Sequence, residues 1–248
     1  MDIVYLVGPE EISLHHNQEL RWSLRSVAKY ARNLGRVIVA GYPPDWLAPE
    51  VVRVPVKDDP KDYKFWAIWR KFFAVIDRGF VRGEFLVSCD DHFYTTPVDL
   101  DATPFYYRRL GILPFEEMKS GGNGYRRSLA ATRDMLVRAG FPARDCAGHQ
   151  NFRIDTADAD EVRRLADAYE GQWKSYGLDI ASCFTNVRAM REHITWTFRK
   201  DHKVKSLDGD PDAVRCGQFS CDDEAFSDKS FMGYMAREFG SPCRFEEG

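Results

Sequence analysis

Two adjacent carboxylates, Asp90 and Asp91, directly follow an apolar and β-branched segment of the chain. Residues 84–89 predict a short strand buried on both faces, and open α/β sheets usually place their ligands at the carboxyl ends of such strands. Carboxylate oxygens at that position suit a divalent cation and, through it, a phosphorylated ligand. The same two aspartates also fit a plain turn after a strand. This segment alone leaves both interpretations open.

A basic stripe marks the second candidate site, on the predicted helix 18–34. Apolar residues recur along this segment at helical spacing, so one face packs inward. Arg21, Arg25, Lys29 and Arg32 are spaced so that they align along one stripe of the helix. The stripe predicts either a solvated face or, at its first two arginines, a phosphate-binding face, because guanidinium groups match phosphate oxygens in shape and charge.

The elements that would position these residues alternate along the first part of the chain. The predicted strands are residues 2–7, 36–40, 51–56 and 84–89, and the predicted helices between them are 18–34 and 62–78. This order predicts right-handed crossovers in a mostly parallel sheet flanked by helices. Further helices are predicted at residues 125–139, 158–169, 180–200 and 228–239. We therefore expect a single α/β domain over residues 1–248, with a helical C-terminal annex.

Composition limits the class of protein. The 248 residues are 44% hydrophobic and 14% aromatic, which is ample for a substantial core. No segment approaches the roughly 18–20 apolar residues of a membrane span, and the first residues lack a secretory pattern, so we expect no membrane span and a cytoplasmic location. The six cysteines lack a Cys-x-x-Cys pair, which argues against a zinc ribbon or a disulfide framework. A net charge of -3 gives no overall attraction to nucleic acid.

Four segments carry a resemblance to a known family. Residues 19–26, Glu-Leu-Arg-Trp-Ser-Leu-Arg-Ser, are similar to its signature helix. Residues 85–93 are similar to its Phe-Leu-x-x-Asn-Asp-Asp-x-Phe block, with Cys89 at the position of the common asparagine. Residues 2–5 are similar to its opening strand, and residues 44–47 to its Pro-x-Trp-Leu turn. Together they resemble the Stealth family, whose members are similar to GT-A glycosyltransferases and include sugar-1-phosphate transferases.

Two weaker similarities follow later in the chain. His149 lies at the position of a family histidine, and residues 241–246, Ser-Pro-Cys-Arg-Phe-Glu, resemble the family's terminal Pro-Ser-x-Phe-Glu. The family's Phe-Arg-Ser segment is matched only by residues 183–186, which lack the arginine. The missing arginine argues against transfer of a sugar 1-phosphate more than it argues against the GT-A-like donor fold.

The resemblance implies a GT-A-like fold in which residues 1–110 form the nucleotide-sugar-binding half. Residues 111–248 then form the acceptor-side half and the C-terminal helices. The implied activity is that of a metal-dependent glycosyltransferase, which moves a sugar from a nucleotide-diphosphate donor to an acceptor hydroxyl on a glycan or on a hydroxylated base in DNA. A Stealth-type sugar-1-phosphate transferase and a non-catalytic module that binds a glycan or nucleic acid remain as alternatives.

The resemblance also assigns a metal site. Asp91 is expected to hold Mn or Mg, which would neutralise the diphosphate of the donor, and His149 is expected to complete the site. Asp90 is expected to contact the ion through water or to accept a hydrogen bond from a donor hydroxyl, because consecutive strand residues point to opposite sides. Asp90 and Asp91 are thus the expected catalytic pair.

Three further residues are expected to bind the donor together with Asp90. Arg21 and Arg25 are expected to contact its phosphates near the start of their helix, where the helix dipole favours anions. Gly8, at the end of the first strand, is expected to let the backbone approach the nucleotide closely, since glycine has no side chain to keep a ligand away.

Overall fold

A computed structural model describes seven stretches of the chain. They are residues 1–9, 15–118, 123–147, 151–169, 176–199, 202–210 and 212–247. His149 lies outside these stretches, so its role as a metal ligand stays a prediction. Gly8, Arg21, Arg25, Asp90 and Asp91 all lie within them.

The strands and helices can be named in chain order. The described strands are β1 (Asp2–Val7), β2 (Ala31–Arg32), β3 (Val37–Gly41), β4 (Val52–Pro55), β5 (Glu84–Ser88), β6 (His92–Tyr94), β7 (Val98–Asp99), β8 (Phe105–Tyr107), β9 (Phe152–Asp155), β10 (Trp196–Phe198), β11 (Lys203–Val204) and β12 (Gln218–Cys221). The described α-helices are α1 (Gln18–Tyr30), α2 (Lys64–Asp77), α3 (Asn123–Arg138), α4 (Ala159–Ala168), α5 (Ile180–Arg191) and α6 (Lys229–Phe239).

A five-stranded sheet in the order β4-β3-β1-β5-β9 forms the centre of the fold. Its first four strands are parallel, and β9 runs antiparallel beside β5. The chain adds β3 and β4 on one side of β1 and then crosses to place β5 on the other side. The boundary between β1 and β5 is therefore a topological switch point, the position where open α/β sheets bind ligands. The predicted mostly parallel sheet is confirmed.

Helices cover both faces of this sheet. Successive strand residues point to opposite faces, so Val4 joins one apolar cluster while Tyr5 joins the other. The cluster around Val4 includes Phe72 of α2 and Phe184 of α5, whose rings meet edge to face at 5.1 Å. The cluster around Tyr5 includes Leu24 of α1. Burial of each such side chain contributes about 1.5–3 kcal/mol to the stability of the fold. The predicted arrangement of sheet and helices is confirmed.

Two predicted helices are too long, for the same reason. Helix α1 was expected to reach residue 34 but ends at Tyr30, because Ala31 and Arg32 pair with β7. The helix expected to reach residue 200 ends at Arg191, because β10 pairs in parallel with β8. In both cases a strand distant in sequence supplies hydrogen-bond partners that local spacing does not reveal.

The C-terminal part contains strands as well as helices. Strand β12 pairs in parallel with β11 and antiparallel with β6, which follows Asp90 and Asp91. Helix α6 packs its Phe231 and Phe239 into an apolar cluster with Phe93 of β6 and Phe219 of β12. The C-terminal segments therefore help to position the turn that carries the two aspartates.

Candidate active site

A cavity of about 650 Å³ opens at the carboxyl ends of β1 and β5. Gly8 lines it just after β1, and Asp90 and Asp91 line it just after β5. The two strands are neighbours in the sheet, with Tyr5 opposite Ser88, so both strand ends reach the same edge. The structure thus brings together three of the predicted site residues, at the switch point of the sheet. We call this space the switch-point cavity.

The two aspartates occupy a turn between β5 and β6. Strand β5 ends at Ser88, earlier than predicted, so the strict alternation of a strand does not apply to Asp90 and Asp91. The expectation that the two aspartates continue the strand is wrong for that reason, and both residues line the same cavity. The interpretation as a turn is therefore confirmed, whereas the binding of a cation and a phosphorylated ligand by the two aspartates stays a prediction.

Helix α1 and strand β12 hold this turn in place. The hydroxyl of Ser23 donates to the carbonyl oxygen of His92 at 2.5 Å, and the hydroxyl of Ser26 accepts from the backbone N–H of Tyr94 at 3.1 Å. On the other side, the backbone N–H of Cys221 donates to the carbonyl oxygen of Asp91 at 3.1 Å. Hydrogen bonds from α1 and from β12 therefore fix the backbone from Asp91 to Tyr94.

Burial and neighbouring negative charge disfavour ionisation of the pair. The pKa of Asp90 is raised, first by burial and then by the carboxylate of Glu19. The pKa of Asp91 is raised as well, first by burial and then by Asp90. Lys203 opposes this effect, with its ammonium nitrogen 3.9 Å from a carboxylate oxygen of Asp91. The chain's own cations therefore compensate the pair only in part.

The whole switch-point cavity is acidic. Its lining includes eight carboxylates against three ammonium groups: Glu19, Asp58, Asp62, Asp90, Asp91, Asp179, Asp222 and Asp223 against Lys64, Lys71 and Lys203. Some of these charges are already paired, since the buried Lys71 donates to Asp58 at 2.8 Å, Asp62 pairs with Arg70 and Asp222 pairs with Lys205, and the remaining carboxylates still outnumber the remaining lysines. A cavity with this balance attracts cations and repels anions unless a cation accompanies them.

The donor atoms at the turn suit a magnesium or manganese ion. Carboxylate oxygens are the hard ligands that both ions prefer. Within the described stretches, no group of three or more His, Cys, Asp or Glu side chains is arranged to hold a metal ion. A magnesium ion bound by one or two carboxylates usually takes its other ligands from water and substrate phosphates, so the Asp90–Asp91 pair fits that pattern.

Cys89, at the position where the resembling family has asparagine, also lines the cavity. Burial, and then the charges of Asp91 and Asp90, raise the pKa of the Cys89 thiol far above its usual range. A thiol binds metal as the thiolate. Without a bound cation, Cys89 is therefore a neutral part of the cavity wall.

Apolar and aromatic side chains also line the cavity. They are Phe65 and Ile68 of α2, Tyr125 of α3, Phe152 of β9 and Leu178. Aromatic faces of this kind stack on flat rings and on sugar faces, while carboxylates attract a cation that accompanies the charged part of a ligand. The arrangement suits a ligand with one flat or apolar end and one end that carries a metal ion.

Arg21 and Arg25 lie elsewhere and bind the C-terminal segment. Arg21 donates to Glu246 at 2.8 Å, and Arg25 makes two parallel hydrogen bonds to the same carboxylate at 2.6 and 2.7 Å. Arg25 also donates to the carbonyl oxygen of Phe239 at 2.7 Å. Neither arginine lines the switch-point cavity. We call the three residues Arg21, Arg25 and Glu246 the Glu246 clamp.

The clamp joins three of the segments that carry the family resemblance. The guanidinium of Arg21 lies 4.0 Å from the ring centre of Trp46, in the Pro-x-Trp-Leu turn. Leu47 of the same turn forms a backbone bridge with Glu246. The three segments therefore pack against one another in the fold.

Sequence reasoning missed several charged residues of the cavity. Lys203 reaches Asp91 only because β11 pairs with β12, which in turn pairs with β6. Asp222 directly follows β12 and enters the cavity by the same route. Asp179 caps α5 by accepting from the backbone N–H of Ser182 at 2.8 Å, a role that an Asp-x-x-Ser spacing does signal.

Comparisons with known proteins leave the family open. No family model matches the chain, and no curated protein matches it. Among solved structures, it is similar to the glycosyltransferase GlyE of Streptococcus pneumoniae TIGR4, with 10% identity and a TM-score of 0.39 over 87% of this chain and 49% of that one. It is also similar to mouse xyloside xylosyltransferase 1, with 11% identity and a TM-score of 0.33 over 91% and 96%.

The chain thus spans about half the length of GlyE. Similarities at this level carry no argument about activity, so the function has to be argued from the cavity itself. Among the helices that the structure describes, none is both long and apolar enough to cross a membrane.

Proposed function

We propose that the chain is a metal-dependent glycosyltransferase that moves a sugar from a nucleotide-diphosphate donor to an acceptor hydroxyl. One observation carries the proposal. The negative charge of the Asp90–Asp91 pair is compensated only in part, and the pair lies on a cavity of about 650 Å³ at the switch point of a mostly parallel sheet. A partly buried pair of carboxylates costs folding free energy unless it has a cation to bind. A functional role explains why the fold keeps the pair.

Asp91 and Asp90 would hold Mn or Mg through their carboxylate oxygens. When bound, such an ion supplies positive charge to the leaving diphosphate. Lys203, already 3.9 Å from Asp91, and Lys64, at the start of α2, are the chain's own cations for the remaining negative charge. The lysines thus take the phosphate-binding role in this proposal, because Arg21 and Arg25 are committed to Glu246.

The remaining walls would orient the two ends of the donor. The carboxyl end of β1 at Gly8 and the aromatic side chains of Phe65 and Phe152 offer surfaces for a flat base. The turn at Asp90 and Asp91 is held by α1 and β12, so the carboxylates keep their positions before the ligand arrives. Such preorganisation favours transfer, because less has to be ordered when the substrate binds.

A neutral acceptor fits this site better than DNA. Eight carboxylates line the cavity, and they would repel the phosphates of a nucleic acid. The basic stripe of α1 offers little in return, because Arg21 and Arg25 bind Glu246 and Lys29 binds Glu238. We therefore propose a glycan or another neutral hydroxyl compound as the acceptor.

Product analysis tests the proposal. The protein is incubated with a panel of nucleotide-diphosphate sugars and Mn²⁺, and the released nucleotide is identified by chromatography. We expect a nucleoside diphosphate in the wild type and a loss on the order of 100-fold or more in Asp91→Ala, since a metal ion contributes several kcal/mol to such reactions. Asp134→Ala, at a half-exposed position on α3, serves as the matched control and keeps its activity.

Each other outcome is informative. Release of a nucleoside monophosphate would instead identify transfer of a sugar 1-phosphate. Full activity in a folded Asp91→Ala variant would overturn the assignment of the site. If no donor of the panel is hydrolysed, transferred or bound, the proposed function is wrong.

A further inference from the structure

A cysteine, a histidine and an aspartate form a hydrogen-bonded chain outside the switch-point cavity. The sulfur of Cys216 lies 3.2 Å from Nε2 of His202, and Nδ1 of His202 lies 3.1 Å from a carboxylate oxygen of Asp210. None of the three residues lines the switch-point cavity. The three come from separate turns before β11, after β11 and before β12. We call them the Cys216 relay.

The contacts fix the role of each nitrogen of the imidazole. A carboxylate can only accept hydrogen bonds, so Nδ1 of His202 carries the proton that it donates to Asp210. Nε2 is then the free acceptor of the neutral ring and faces the sulfur of Cys216. This is the tautomer that a base needs to take a proton from a thiol, with the aspartate as the positioning residue.

The same geometry argues against a metal site. Cys216 and Asp210 contact opposite nitrogens of the ring, so their ligand atoms do not converge on a common point. The three side chains are also absent from any metal-binding group within the described part of the chain. The arrangement is that of a nucleophile, a base and a group that orients the base.

The backbone around the thiol is held in place. Cys216 ends a short 3-10 turn, and its backbone N–H donates to the carbonyl oxygens of Asp212 and Ala213 at 3.2 and 3.3 Å. Arg199 donates to the carbonyl oxygen of Cys216 at 3.2 Å. The charged groups around the relay are Asp210, Arg199 and the ion pair between Arg215 and Asp212. The sulfur is exposed on this supported turn.

Cys216 differs from the other five cysteines, all of which the structure describes. Cys183 and Cys221 are buried, and Cys89, Cys146 and Cys243 are partly buried. Burial raises the pKa of all five thiols, to about 11 for Cys243, so they stay protonated at neutral pH. Cys216 alone combines exposure with a histidine partner.

We propose that Cys216 is a nucleophilic thiol site that takes low-molecular-weight disulfides. His202 removes the proton of the thiol, and the thiolate attacks one sulfur of the disulfide R–S–S–R. A bond forms between Cys216 and that sulfur, the S–S bond of the reagent breaks, and the leaving thiolate receives the proton from His202. The products are a mixed disulfide on Cys216 and one free thiol, so atoms and electrons balance.

The test measures modification directly and needs no donor, acceptor or metal. The protein is treated with cystamine in the presence of EDTA, and the modified cysteine is identified by peptide mass mapping over time. Because an unassisted thiol is only a few per cent ionised near neutral pH, we expect Cys216 to react roughly tenfold faster in the wild type than in His202→Asn. His193→Asn, at an exposed position, is the matched control and keeps the wild-type rate.

The pH profile separates a base from a merely structural histidine. The wild-type rate should change little between about pH 6.5 and 8.5, whereas the rate in His202→Asn should rise roughly 30-fold, as for an ordinary thiol. Asp210→Asn should fall between the two, because its histidine is less well oriented. Equal rates in the wild type and a folded His202→Asn, preferred modification of another cysteine, or a wild-type rate that itself rises roughly 30-fold would each overturn the proposal.

Discussion

The Glu246 clamp and the Asp90–Asp91 pair are both partly buried clusters of charged side chains. They differ in the source of the positive charge that neutralises their carboxylates. In the clamp, Glu246 receives hydrogen bonds from both Arg21 and Arg25. Burial tends to raise the pKa of Glu246, but the two arginines outweigh it, and the pKa lies below its usual value. At Asp90 and Asp91 the pKa is raised, because burial and like charge outweigh the nearby lysines.

This contrast separates a structural charge cluster from a functional one. The clamp is complete within the chain, and it fastens the C-terminal segment to α1 and to the turn at Trp46. Lys203, at 3.9 Å from Asp91, and Lys64 compensate the aspartate pair only in part, and the pair faces a cavity large enough for a ligand. A cluster that folding alone leaves short of counter-charge is a candidate for binding a cation.

The largest effect on stability is expected at the clamp. Glu246→Gln leaves two arginines without their carboxylate partner, and removal of one member of a buried ion pair costs about 3–5 kcal/mol in the free energy of unfolding. Urea denaturation measures this loss. Glu247→Gln, at the exposed neighbouring position, should change stability by less than about 0.5 kcal/mol. A loss of similar size in both variants would mean that the clamp is not structural.

Asp91→Asn should raise the free energy of unfolding, whereas Glu246→Gln lowers it. The folded-state pKa of Asp91 is raised, so its ionisation costs the folded state free energy as pH rises above about 4, the usual unfolded value. The substitution removes that cost. We expect a gain of about 1–3 kcal/mol near pH 8 that disappears near pH 4.

Urea denaturation across this pH range checks the expectation. Asp134→Asn, on a half-exposed carboxylate, is the control and should show no pH-dependent gain. If Asp91→Asn destabilises the fold at about pH 8, the pair is compensated after all, and the contrast with the clamp disappears.

The smallest effect concerns Lys203, the lysine that pairs with Asp91. Lys203→Gln removes an ammonium group that competes with a divalent ion for Asp91. We expect Mn²⁺ to bind about 3- to 10-fold more tightly in this variant, a change of about 0.7–1.4 kcal/mol, when no donor is present. Calorimetry at neutral pH measures it, with the exposed Arg215→Gln as the charge-matched control. Weaker binding in Lys203→Gln would place the ion away from Asp91.

The sequence predicted the sheet better than the helix ends. Strand β1 has the predicted limits, and β5 ends one residue early, because apolar, β-branched segments mark buried strands reliably. Helices α1 and α5 end early, where Ala31 pairs with Val98 and Trp196 pairs with Phe105. Those pairings join residues far apart in the chain, so no local pattern contains them.

Only those residues of the candidate site that lie at strand ends could be predicted from the sequence. Gly8 and Asp90 follow neighbouring parallel strands and therefore meet at one edge of the sheet. The spacing of Arg21 and Arg25 predicts a shared stripe, but it does not identify the partner of that stripe, which is Glu246 near the end of the chain. Lys203 was missed for the same reason, since only the pairing of β11 brings it to Asp91.

Direct titration with Mn²⁺ tests the central claim that the Asp90–Asp91 pair is a cation site. Calorimetry compares the wild type, Asp91→Asn and the clamp variant Arg21→Met, after circular dichroism has confirmed that all three are folded. We expect one Mn²⁺ to bind the wild type and Arg21→Met alike, and binding to Asp91→Asn to be at least roughly tenfold weaker, because a carboxylate ligand is lost. Equal affinity in the wild type and Asp91→Asn would contradict the account.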